Sequence, residues 1–278
     1  MLKRTVKFAA MIAASAALGL VLQAPACAKA ATKNPAAKKP VAKKNVTKKA
    51  APTPPSPDQL FLSGMTALNK RNTPAAIKNF EAASKGGNTE ADNMLGTLYF
   101  SGRGVPQNYP KAATAFERAA QGGHLLAATK LGDMADAGQG MPKDSSKAAH
   151  WYGEAANKNF ATAQLKFGGL YESGDGVAQD DAKAAQWYRK AADQGQWDAQ
   201  HRLGKLFVEG RGVAKDPAHA AQLFESSMKN GNSFAKISLG DLYQAGSGVP
   251  QDSAKAKKLY QEAADEGEPL AKERLKTL

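Results

Sequence analysis

The sequence predicts an all-α fold, a right-handed α/α solenoid of antiparallel helix pairs. Three observations lead there. Glycine recurs every 36 residues, at Gly96, Gly132, Gly168, Gly204 and Gly240. A second pair follows in fixed register, at Gly102/Gly104, Gly138/Gly140, Gly174/Gly176, Gly210/Gly212 and Gly246/Gly248. Around each beat the apolar residues keep helical spacing. A period of this length marks stacked supersecondary units, each too small to bury its own apolar face.

Residues 88–123 serve as the type unit. Ala91, Leu95, Gly96, Leu98 and Tyr99 fall on one helical face. Ser101 and Gly102 end that first helix, since glycine readily takes the left-handed conformation that closes one. Gly104 adds a second permissive position. Val105 is apolar within a polar loop, so it is expected to plug into the core, as are Met141, Val177, Val213 and Val249. The second helix starts at a cap column of Asn108, Asp144, Asp180, Asp216 and Asp252. These side chains accept hydrogen bonds from the free amides of a helix start. Pro217 directly after Asp216 suits the first helical position.

Two columns of small residues complete the packing pattern. One is Ala91, Ala127, Ala163, Ala199, Ala235 and Ala271; the other is the 36-residue glycine. They let helices approach, while Phe80, Phe116, Tyr152, Tyr188, Phe224 and Tyr260 fill the gaps. Trp151 and Trp187 share a column and read as core. Trp197 does not, and is expected at the surface.

The pattern A-x-x-x-L-G-x-L-Y-x-x-G-x-G-V-x-x-D-x-x-K-A-x-x-W-Y-x-K-A-A-x-x-G is best kept by residues 160–195. There Ala163, Gly168, Leu170, Tyr171, Gly174, Gly176, Val177, Asp180, Lys183, Ala184, Trp187, Tyr188, Lys190, Ala191, Ala192 and Gly195 match. On these residues the chain resembles the Sel-one-like repeat (SLR) family, relatives of tetratricopeptide repeats. The resemblance covers five 36-residue units at 88–267. Residues 58–87 form an N-terminal tetratricopeptide-like unit without the G-x-G loop, and 268–278 a C-terminal capping helix. Ala135 replaces the tyrosine of the second unit, and Ser227/Met228 replace Ala-Ala in the fourth. Looser packing is expected at both places. The resemblance implies adaptors and scaffolds, many of them exported. A cysteine-rich branch is linked to β-lactam hydrolysis, but the repeats of this chain contain no cysteine.

The formal charge of +13 is unevenly spread. Residues 1–57 hold 11 of the 38 Lys and Arg and no acid, which leaves 27 basic and 25 acidic residues in 58–278. A near-neutral body argues against nucleic acid as ligand of the repeats, since phosphate binding needs a basic face. Residues 1–30 read as a signal peptide. Lys3, Arg4 and Lys7 precede an apolar run of fifteen residues, Phe8 to Leu22. That is short of the ~20 residues of a membrane span. Cleavage fits after Ala26, Ala28 or Ala30, giving a periplasmic or secreted protein. An uncleaved membrane anchor and lipidation at Cys27, the only cysteine, are the alternatives. Residues 31–57 are a Lys/Ala/Pro-rich linker, expected to be disordered. It reads as a spacer, with weak attachment to anionic membrane or cell-wall polymer as the sharper possibility.

No catalytic, metal or cofactor set emerges. His124, His150, His201 and His219 fall in four different repeat columns, with no ligand spacing. His219 takes the polar column of Lys111, Lys147, Lys183 and Lys255, expected to be exposed. The chain therefore reads as a non-enzyme without cofactor or small-molecule substrate. Its expected partner is another envelope protein or peptide. A cell-wall or β-lactam-directed hydrolase is the rival class.

In two-helix solenoids the first helices line the concave face. The columns of residues 93, 97 and 100 are not consumed by packing and vary from unit to unit. They supply a candidate partner-binding groove: Asn93, Thr97, Phe100, Asp133, Asp136, Leu165, Glu172, His201, Lys205, Val208, Ile237, Asp241 and Gln244. Solvated faces vary in the same way. Phe100, Leu165, Val208 and Ile237 suggest apolar anchors, with an acidic flank at Asp133, Asp136 and Glu172.

Overall fold

A computed structural model describes residues 54–278. The segment read as a signal peptide, Cys27 and the expected linker up to residue 53 lie outside the described residues. Among the described residues there are thirteen helices and no strand. They are α1 (Pro57–Asn69), α2 (Thr73–Lys85), α3 (Thr89–Ser101), α4 (Tyr109–Gln121), α5 (Leu125–Ala137), α6 (Ser145–Asn157) and α7 (Ala161–Ser173). Then follow α8 (Asp181–Asp193), α9 (Trp197–Glu209), α10 (Pro217–Lys229), α11 (Ser233–Ala245), α12 (Ser253–Asp265) and α13 (Pro269–Lys276). Each packs chiefly on its chain neighbours, as in an α/α solenoid.

Local chemistry sets the helix ends. In the cap column Asn108, Asp144, Asp180, Asp216 and Asp252 each accept from the backbone amide three residues on, at 2.9–3.0 Å. The first helices of the five units close on Gly102, Gly138, Gly174, Gly210 and Gly246 at left-handed φ. Helix α1 begins at Pro57, inside the segment read as linker, because Ser56 and Gln59 form a reciprocal capping box before it.

The core is a stack of aromatic rings against glycines. A Cβ on Gly96, Gly132, Gly168, Gly204 or Gly240 would fall 2.5–2.8 Å from Phe116, Tyr152, Tyr188, Phe224 or Tyr260. Gly64 stands in the same relation to Phe80, at 2.5 Å. It is off the 36-residue beat because α1 and α2 are joined by three residues (70–72), against seven (102–108) between α3 and α4. All six alanines of the column at Ala91 are fully buried. The five loop residues at Val105, Met141, Val177, Val213 and Val249 pack partly buried on the core.

Two expectations change here. Ser227 does not loosen its unit: it is fully buried, donates to the Trp197 carbonyl at 2.6 Å and accepts from Asn232 Nδ2 at 2.9 Å. The hydroxyl thus ties α10 to the start of α9. His219 is half-buried, edge-on to Phe207 at 4.6 Å. Its column is not idle. Lys111, Lys183 and Lys255 place Nζ 5.1–5.3 Å from the rings of Tyr99, Tyr171 and Tyr243. At Ala135 the ring is missing. A recess of about 490 Å3 lies there between α4 and α6, against about 340 Å3 at the equivalent place beside Tyr99.

Candidate functional site

The first helices of successive units are bridged along one face by a repeated arrangement. A buried tyrosine of the second helix donates its hydroxyl to a carboxylate on the first helix of its own unit. A cation from the next first helix then approaches that carboxylate. Tyr152 donates to Asp133 at 2.7 Å, and Lys166 lies 2.9 Å from Asp133. Tyr260 donates to Asp241 at 2.8 Å, and Arg274 lies 2.9 Å from it. In the unit after that of Tyr152, Gly169 offers no carboxylate. Glu172, one turn further on, accepts from Tyr188 at 2.6 Å, with Arg211 at 3.3 Å and Arg202 at 3.9 Å. Burial, with the carboxylate adding to it, pushes all three phenols well above 10, so each is a donor at neutral pH.

This arrangement reassigns much of the expected groove. Asp133 and Glu172 of the expected acidic flank, and Asp241 beside them in the groove, are acceptors already engaged within the stack. Asp136 accepts from Ser145 Oγ at 2.9 Å. Ile237 is 3 % exposed, among Tyr260, Ala256 and Ala271, because α12 and α13 close over it. It is core and cannot anchor a partner. Leu165 and Val208 pack partly buried on the central core, and the Phe100 ring meets those of Tyr109 and Phe116 edge-on. Thr97 is exposed and donates to the Asn93 carbonyl. The side-chain oxygens of Asn93 and Gln244 are buried without a hydrogen-bond partner.

Three of the expected residues do meet, in a recess of about 460 Å3. It is lined by Glu172 of α7, by Trp197, Asp198, His201, Arg202 and Lys205 of α9, and by residues 231–234 at the start of α11. Trp197 is 44 % exposed and Phe234 52 %. The repeat columns do not single out Asp198, Arg202 and Phe234, which face the recess only because α9 and α11 lie side by side. Trp197 stands out in the sequence because its column holds no other aromatic residue.

His201 sits between these helices, half-buried, with Nε2 2.9 Å from Ser238 Oγ and its ring 5.5 Å from that of Phe224. Burial lowers its imidazole from 6.5 to about 4, and Lys205 and Arg202 add to this against Asp198. The ring is therefore neutral at pH 7. A serine beside a histidine raises the hydrolase question, and this pair lacks the rest of the apparatus. No carboxylate accepts from the second ring nitrogen among the described residues. Ser238 stands mid-helix, where backbone amides are already bonded and no oxyanion hole can form. A base lowered this far is also weak for its task. The pair is a satisfied polar contact between α9 and α11.

The lowered value has a consequence for stability. The unfolded chain binds a proton near 6.5 and the folded one near 4. The contribution of neutral His201 is thus complete above pH 6.5 and is lost as pH falls toward 4. Urea midpoints should drop more for the parent than for His201→Gln over that interval. Parallel pH profiles would contradict this.

Comparison with known proteins agrees with the architecture. The Sel1 repeat profile matches residues 69–88, 89–124, 125–160, 161–196, 197–232 and 233–268. The chain belongs to the Sel1 repeat family. Proteins of this family generally act in protein–protein interaction. Among solved structures, Escherichia coli c5321, a protective antigen present in uropathogenic strains and displaying an SLR fold, is 32 % identical with a TM-score of 0.74. The match covers 79 % of this chain and 48 % of c5321, so the chain spans about half that protein's length. A Sel1 repeat protein from Oxalobacter formigenes is 32 % identical with a TM-score of 0.71, covering 78 % of this chain and 86 % of that one. No curated protein sequence matches the chain.

Proposed function

We propose that this protein is an exported, non-enzymatic adaptor of the bacterial envelope that binds a partner protein or peptide in the α9–α11 recess. One observation carries the reading: two large aromatic side chains, Trp197 and Phe234, stand exposed at the same recess of the first-helix face. Exposed aromatic residues beside a concavity are what a protein partner buries at the centre of its contact. The leader-like segment at residues 1–30 supports export.

A photo-crosslinking residue at Thr97, Phe234 or Lys190, an exposed residue of the second helix α8, separates the possibilities in cells. Adducts are expected at Phe234 and lost on Trp197→Ala, with an unchanged urea midpoint, and absent at Lys190. Equal adducts at Lys190, or none at Phe234, would reject this face. The mature chain should also appear in the periplasmic or secreted fraction shortened by the leader. Full-length cytoplasmic protein would reject export.

A further inference from the structure

The tyrosine–carboxylate–cation arrangement occurs in three of the five 36-residue units. The Phe116 unit has Thr97 in the carboxylate's column and no hydroxyl, and the unit between Tyr188 and Tyr260 departs further. There Phe224 takes the tyrosine's place and offers no hydroxyl. Lys205 takes the carboxylate's place, in the column of Asp133 and Asp241. Ser238 takes the place held by Lys166, Arg202 and Arg274, and its hydroxyl is engaged with His201. All three positions depart together, so at this rung a cation stands in the column where Asp133 and Asp241 hold an anion.

Lys205 is exposed and makes no ion pair among the described residues. The other charges lining the recess are already matched. Arg202 lies 3.3 Å from Asp198 and 3.9 Å from Glu172. Glu172 also accepts from Tyr188 and pairs with Arg211, which in turn forms a two-pronged contact with Asp181. One cation is left over, next to the exposed rings of Trp197 and Phe234.

We propose that this broken rung is the recognition point for an extended peptide segment of the partner, which supplies the missing carboxylate from an aspartate or glutamate side chain to Lys205 and sets a neighbouring apolar side chain against Trp197 and Phe234. The inference rests on the reading of this face as protein-binding, and names the chemistry of the partner. One uncompensated cation calls for one negative charge. A run of phosphates would meet Glu172 and Asp198 and be repelled, which disfavours a polyanion here. The aromatic pair supplies the apolar half of the contact, and a polar anchor beside an apolar one fixes the direction of a peptide.

The test uses the full mature chain on immobilised hexapeptides made in matched pairs, each carrying Asp or Glu beside Leu, Phe or Ala, with an Asn or Gln twin. The parent protein is expected to bind acid peptides with Leu or Phe about tenfold more tightly than their amide twins. Lys205→Glu should abolish that preference. A triple variant that completes the rung, Lys205→Asp with Phe224→Tyr and Ser238→Arg, should abolish it too while still unfolding cooperatively in urea, so that loss of binding is not loss of fold. Equal binding of acid and amide twins overturns the carboxylate inference and leaves a protein-binding face intact. Binding that survives in both Lys205 variants overturns it as well. Binding of no peptide overturns the inference, and the crosslinking at Phe234 then decides separately whether the face binds protein at all.

Discussion

Gly176→Ala is expected to destabilise the solenoid by about 3 kcal/mol or more, well beyond the cost of the same change at Gly195. Both glycines have positive φ, +70° at Gly176 and +81° at Gly195. The left-handed penalty for an L-residue, about 1–2 kcal/mol, is therefore common to the pair. The difference lies in what a side chain would meet. At Gly195 nothing lies within 4 Å. At Gly176 the new Cβ would stand 2.2 Å from the Ser145 carbonyl carbon and 2.5 Å from the Ser146 nitrogen. These are backbone atoms of the first turn of α6, in the preceding unit, and they cannot swing away. The loop would have to lift off its neighbour. In a stack held by nearest-neighbour interfaces, that separates two blocks and broadens the unfolding transition. Urea unfolding of the two variants side by side checks this. Equal losses would show that only the backbone angle matters.

Tyr188→Ala is expected to cost about 4 kcal/mol, and Tyr188→Phe about 1 kcal/mol. The ring is 0 % exposed and lies against Gly168, where a Cβ would come within 2.8 Å of it. Removing it leaves a cavity that helices of fixed spacing cannot close. Removing the hydroxyl alone strips Glu172 of one donor, while Arg211 at 3.3 Å remains. Phe116 and Phe224 already fill equivalent places, which shows that the ring without its hydroxyl is compatible with the stack. Thermal or urea unfolding measures both variants. A phenylalanine variant as unstable as the alanine one would mean that the polar rung, not the ring, holds the interface.

The columns of the 36-residue beat correctly located the helix caps, the buried alanines and the glycine–aromatic contact, because each follows from residues a few positions apart. Gly64 escaped that reading since a connection four residues shorter shifts it out of phase, although its partner Phe80 stays on the beat. The acidic residues of the first helices were misjudged as free for a different reason. The hydroxyl and cation partners of Asp133, Glu172 and Asp241 lie 16–19 and 30–39 residues away. A signal was present all the same. Tyr152 and Tyr260 each have an aspartate nineteen residues earlier, whereas Phe116 and Phe224 have Thr97 and Lys205 at that distance. Ile237 was misplaced because its cover, α12 and α13, lies at the end of the stack, where the repeat columns say least.

By itself the sequence determined that this chain is an α/α stack, where its helices begin and end, and which face is left for variation. Those properties depend on local hydrogen bonds and on a period that residues within one unit impose. Only the tertiary structure decided which variable residues are spent on bridging units and which remain available. That question concerns pairs brought together by stacking, and it leaves Lys205 without an ion pair among the described residues, beside the exposed rings of Trp197 and Phe234.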